Sequence, residues 1–131
     1  MLFFSCQKEE ELEFVISLEN TNPISIVEFQ ENIIVTLNYQ HNQGFVGFAD
    51  PDHLSLEIKD SRLVYSDYYH IIPVTPPNQV LSVTGEILIE IDAPFLFGNG
   101  NLETLTYTIR IQDKNNEWSN EVTTPIITVT E

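Results

Sequence analysis

Between positions 104 and 111 apolar side chains occupy every second residue, Leu105, Tyr107, Ile109 and Ile111, with Thr104, Thr106, Thr108 and Arg110 between them. A period of two is the mark of a strand with one face on a core and the other toward water. It recurs at Ile33, Val35, Leu37 and Tyr39, at Leu54, Leu56 and Ile58, and at Leu81, Val83, Ile87, Ile89 and Ile91. No segment repeats its apolar residues at the helical spacing. Composition agrees: isoleucine, valine and threonine number 15, 10 and 11, whereas alanine stands only at Ala49 and Ala93, a balance that favours pleated sheet over helix.

Other strands are legible from runs and breakers. Runs at 13–18 and 24–29 are separated by a turn at 19–23, where asparagines precede Pro23. Leu63-Val64-Tyr65 follows a turn at Asp60-Ser61. Residues 69–74 read as an edge strand, because Pro73 cannot donate to a ladder. Gly85, in phase within 81–92, predicts a bulge or bend. Pro125 interrupts a last strand over 121–130 and predicts an edge position or a shift of sheet there. About seven to nine short strands without helices describe a sandwich or barrel, with the sandwich favoured. The fold class is all-β, an antiparallel β-sandwich of immunoglobulin or fibronectin type III character. Tyr107, two residues before Ile109 on a late strand, stands where such sandwiches carry a tyrosine corner, or is an ordinary core tyrosine.

The 131 residues and 15.0 kDa suit one domain. A formal net charge of -15 repels polyanions, which excludes nucleic acid as a partner. No apolar run reaches the roughly 18 residues of a spanning helix. The single cysteine, Cys6, forms no intrachain disulfide and is too little for a thiolate metal site.

Leu2-Phe3-Phe4-Ser5-Cys6 is an apolar stretch ending in a small residue before cysteine, and Gln7-Lys8-Glu9-Glu10-Glu11 follows. The first resembles the end of a bacterial lipoprotein signal. The second resembles the acidic export tag of Bacteroidetes-type surface lipoproteins. The apolar part is shorter than the about 7 to 15 residues of a signal, so the translation start is expected upstream. Residues 1–12 are read as signal remnant and acidic tether, and 13–131 as the sandwich domain. The run from Tyr107 to Ile126, with Asp113, Asn116, Ser119, Asn120 and Pro125, resembles the last hairpin of a single immunoglobulin-like domain in that lipoprotein group. Asn116 stands where that hairpin carries a glycine, and asparagine tolerates the left-handed conformation. The resemblance implies lipidation at Cys6 and display on the outer face of the outer membrane, with the lipid as the membrane contact.

Related domains follow an early tyrosine-bearing strand with an aspartate-glycine repeat of calcium-loop character, and residues 39–47 occupy that place. His41, Gln43 and Phe45 stand at its aspartate positions, although Gly44 and Gly47 keep the glycine rhythm. Calcium needs about six to eight oxygen ligands. Asp50, Asp52 and Asp113 would give a weak site if they converged. No tight metal and no cofactor is expected.

No metal-ligand spacing joins His41, His53 and His70, and no nucleophile or phosphate-loop motif is present. Glu86 and Glu90 lie roughly 13 Å apart on one strand face, beyond the separation that glycosidases use. The chain reads as non-enzymatic. Two functions suit it: a protein-interaction or adhesion module, or a carbohydrate-binding accessory domain. If 33–39, 54–59, 104–111 and 121–130 are the strands lettered B, C, F and G, loops 40–53 and 113–120 share one end. That end gathers Phe45, Phe48 and Trp118 among His41, Asp50, Asp52, His53 and Asp113, an apolar centre with a polar rim. The alternative is that Phe45 and Phe48 cap the sandwich core while Trp118 covers the final hairpin.

Overall fold

Among the described residues ten strands form, the longer ones from stretches whose inward apolar side chains alternate with outward ones. In the computed structural model, residues 14–41, 50–71, 83–113 and 115–131 are described. The strands are β1 (Val15–Asn22), β2 (Ser25–Val27), β3 (Ile33–His41), β4 (Leu56–Asp60), β5 (Asp67–Tyr69), β6 (Val83–Ile91), β7 (Leu102–Leu105), β8 (Tyr107–Ile111), β9 (Val122–Thr123) and β10 (Ile127–Thr130). Among the described residues there is no helix.

One layer is the sheet β1-β3-β6. The other holds the sheets β5-β4-β8-β9 and β2-β10-β7. These last two continue one another, because Thr106 alone separates β7 from β8 and Pro125 lies between β9 and β10. The interruption expected at Pro125 is a break within one pairing and not a shift of sheet: β9 pairs with β8, and beyond Pro125 β10 pairs with β7, the continuation of β8, and with β2 on its other side. All named pairings are antiparallel except β2 with β10, which is parallel. Inward residues of both layers meet in one core, with Ile33, Val35 and Leu37 of β3 facing Ile109, Ile111, Ile127 and Val129. Each such side chain contributes about 1.5–3 kcal/mol on leaving water.

Four expectations of strand placement are corrected. The stretch 19–22 is not a turn but the second half of β1, which absorbs an irregularity between Leu18 and Asn20 and leaves only Pro23 and Ile24 for the corner. The alternation starting at Leu54 fails at its first step. Ser55 is fully buried, its carbonyl accepting the Gln112 N–H, while Leu54 turns outward. Leu63, Val64 and Tyr65 form no strand: Asp60 accepts the Arg62 N–H and side chain and its carbonyl takes the Leu63 N–H, so a tight turn holds Val64 and Tyr65 out at 80% and 83% exposure. The edge strand expected over 69–74 is displaced to Asp67–Tyr69, paired with β4; positions 72–74 lie outside the described residues.

Gly85 makes neither bulge nor bend. The β3–β6 register runs unbroken from Ile33 opposite Ile91 to His41 opposite Val83, with Tyr39 opposite Gly85. The buried Tyr39 ring lies over the glycine so closely that an added Cβ would stand 2.6 Å from Cε1. Absence of a side chain is thus the requirement, and backbone freedom is not. Gly85→Ala should destabilise the domain by about 1–3 kcal/mol through overpacking, read by urea denaturation. In a Tyr39→Leu background the same change should cost markedly less.

Candidate functional site

The described ends of the loops 40–53 and 113–120 meet, His41 Nε2 lying 3.0 Å from Asp113 Oδ2, and beside them the Gln112 N–H donates to the Ser55 carbonyl at 2.8 Å; residues 42–49 lie outside the described residues. The last hairpin is built by the residues that its sequence singled out. Asp113 Oδ1 accepts the N–H groups of Asn115 and Glu117 at 2.8 and 2.9 Å. Asn116 adopts φ 66°, the left-handed conformation that a glycine takes without cost and asparagine tolerates. Ser119 Oγ accepts the Ile111 N–H and donates to the Asn120 carbonyl. The Asn120 amide reaches across to the other layer, accepting from the Ile16 N–H and donating to the Ile16 carbonyl.

Asp113 also binds that layer. Its Oδ2 lies 3.0 Å from His41 Nε2 at the end of β3, and the two are 2% and 3% exposed. Phe14 packs on the imidazole with ring centroids 4.8 Å apart. Burial opposes ionisation of Asp113, but the hydrogen bonds from His41 and from the Glu117 and Asn115 backbone outweigh it and hold the carboxyl below its usual range. His41 and Asp113, expected on a polar rim, are instead internal and lash the layers together.

The other expected site residues divide. Asp50 and Asp52 are exposed in a turn, where Asp50 Oδ1 accepts the Asp52 N–H. His53 Nε2 lies 3.0 Å from Gln112 Oε1. Phe45 and Phe48 lie outside the described residues, as does Cys6. Among the described residues no three of His, Cys, Asp or Glu gather as metal ligands would.

Trp118 is half-buried and pairs across from Gln112, which aligns it with the outer face of β8. Arg110, on that face, sets its guanidinium 4.4 Å from the indole centroid and bonds Glu57 of β4. Glu57 stands opposite Tyr68 of β5, whose exposed ring meets the Trp118 edge at 6.4 Å. Burial works against the Glu57 carboxylate, yet bonds from Ser66, Arg110 and Tyr68 keep it ionised below its usual range. A row Tyr68, Glu57, Arg110, Trp118 thus crosses the sheet exterior. Register would have revealed it, since Arg110 and Glu57 share the outward parity of neighbouring strands.

Two further features had no sequence signal beyond isolated aromatics. Near Arg62, Phe29, Phe95 and Phe97 form an exposed run with centroids 5.3 and 5.2 Å apart, and Arg62 lies 3.7 Å over Phe97. Phe29 holds φ 65°, a strained conformation for a bulky residue. Arg62 also bonds Asp60, Glu103 and the Phe95 carbonyl. Beside this run opens a cleft of about 810 Å³, lying between β6 and the β4–β5 pair.

No known protein family, curated protein or solved structure matches the chain.

The depressed Asp113 carboxyl fixes an acid limit. Its folded-state value is below the unfolded one, so its contribution is complete above the unfolded value of about 3.9 and is lost as pH falls through the lower folded value. Asp113→Asn should therefore be less stable than wild type at pH 5 by about 1–3 kcal/mol, and the gap should close as pH drops below about 4. Urea midpoints across that range check it.

Proposed function

We propose that this protein is a non-enzymatic binding module that engages a protein partner through the Tyr68–Arg110–Trp118 face, carried on the outer surface of the outer membrane by a lipid on Cys6. The observation that carries the reading is the Arg110 guanidinium stacked on Trp118, with Tyr68 beside it. Tryptophan, arginine and tyrosine dominate the energetics of protein contacts. A sugar-binding site would need the open ring face as a platform, and here the guanidinium occupies one face of the indole. That favours a protein ligand over a glycan.

An immunoglobulin-like identity of the sandwich belongs to the same reading. It is supported by the strand order, β1-β3-β6 opposite β5-β4-β8-β9, which follows the A-B-E and C′-C-F-G arrangement. The anchor reading rests on Cys6 and the acidic run behind it.

Trp118→Ala and Arg110→Ala should each remove capture of the surface partner in a pull-down, while a glycan array stays blank for the wild type. Melting should fall by no more than about 3 °C, since both side chains lie at the surface. A fall of several degrees more in Trp118→Ala would assign the indole to the core and withdraw the face. Metabolic labelling with a fatty-acid analogue should mark the full-length gene product and not Cys6→Ala. Protease added to intact cells should remove the domain; protection would place it elsewhere.

A further inference from the structure

The two layers end on the same side in strands whose outer edges have no named partner. Among the described residues β6 pairs with β3 alone and β5 with β4 alone. The apolar floor of the cleft between them includes Leu56, Ile58 and Ile71 from one layer and Ile89 from the other. Tyr69, Asp67 on its own strand and Asp92 just beyond β6 all line this cleft, and burial first, then the two carboxylates, raises the Tyr69 phenol. An edge of nine residues offers roughly 30 Å of backbone, with alternate N–H and C=O groups directed outward.

Charge on this edge has one sign. Glu86 and Glu90 point from the exposed face of β6, Asp92 ends the strand, and Asp67 lies on the facing lip. Arg62, the arginine of the lining, is already engaged by Asp60 and Glu103. We propose that the β6 edge accepts an extended peptide from another protein as an added strand, with side chains alternating between apolar and basic. Strand addition supplies main-chain hydrogen bonds and leaves specificity to alternate side chains. Every second side chain of the added strand enters between the layers over Leu56, Ile58 and Ile89. The intervening ones stand beside Glu86 and Glu90, where a cross-strand neighbour of opposite charge is favourable. A second copy of this chain fits poorly. Pairing β6 with β6 would bring like carboxylates together in a molecule of net charge -15. This surface lies on the inner side of β4, away from the Trp118 face, so the proposal goes beyond the function given above and stands or falls separately.

A titration of the isotope-labelled protein with a synthetic peptide of alternating valine and lysine tests it. Saturable shifts should appear along β6 and on the cleft floor. Binding should weaken by about tenfold or more between ~0.05 and ~0.5 M salt, where charge attraction is screened. A peptide alternating valine and glutamate should not bind, and one with the lysines gathered at one end should bind far less. The exposed pair Glu86→Lys/Glu90→Lys should stay folded, giving up only the exposed bond that Glu90 accepts from Asn32, and should lose the lysine peptide and gain the glutamate peptide. Trp118→Ala should bind the lysine peptide as wild type does. Equal binding of both charge types, indifference to the double substitution, or loss in Trp118→Ala would overturn the proposal. So would shifts confined to other surfaces, self-association through β6, or no shifts at all because the chain itself occupies the edge.

Discussion

The buried carboxylate of Asp113 is the constraint around which the rest of this molecule is arranged. A charge removed from water is tolerated only when its lone pairs are engaged. Here two backbone N–H groups and the His41 ring engage them. Those partners come from a hairpin in one layer and the end of β3 in the other, so satisfying one carboxylate also sets the distance between sheets. Asn120 repeats the device with neutral groups, standing in for a missing strand beside Ile16. Above this clamp the core needs only the period-two placement of isoleucine, valine and leucine.

The far end is held differently. Arg62 gathers Asp60, Glu103 and the Phe95 carbonyl, and Glu103 in turn accepts the Phe97 and Gly98 N–H groups. Burial disfavours the Arg62 cation, but its two carboxylates more than compensate and raise its affinity for the proton. The sandwich is thus fastened at one end by a buried acid and at the other by a shared base. The cleft along its side lacks such a tie among the described residues.

Strand positions and layers were legible wherever one periodic force acted. The alternation at Leu105 to Ile111 and at Ile33 to Tyr39 reports solvent on one side and core on the other, and both hold. Asn116 was readable too, because its left-handed backbone follows from local chemistry. What escaped involved partners distant in sequence. Gly85 looks like a break until the Tyr39 ring above it is known, and His41 and Asp113 look like a polar rim until their pairing is seen. Ser55 is drawn inward by Gln112, which no local pattern announces. The Arg110–Trp118 stack depends on strand register, a quantity that composition does not carry.

The parallel pairing of β2 with β10 bears on how the chain reaches this state. β10 lies between β2 and β7, so the residues from Ile127 to Thr130 join a segment from the start of the domain to one from its final third. Until they emerge from the ribosome, Ile26 and Leu105 lack their neighbours and the layer has a gap in its middle. Contacts this distant along the chain are slow to form. Closure of the core therefore waits for β10, so the segments made before it cannot be sealed from water one strand at a time.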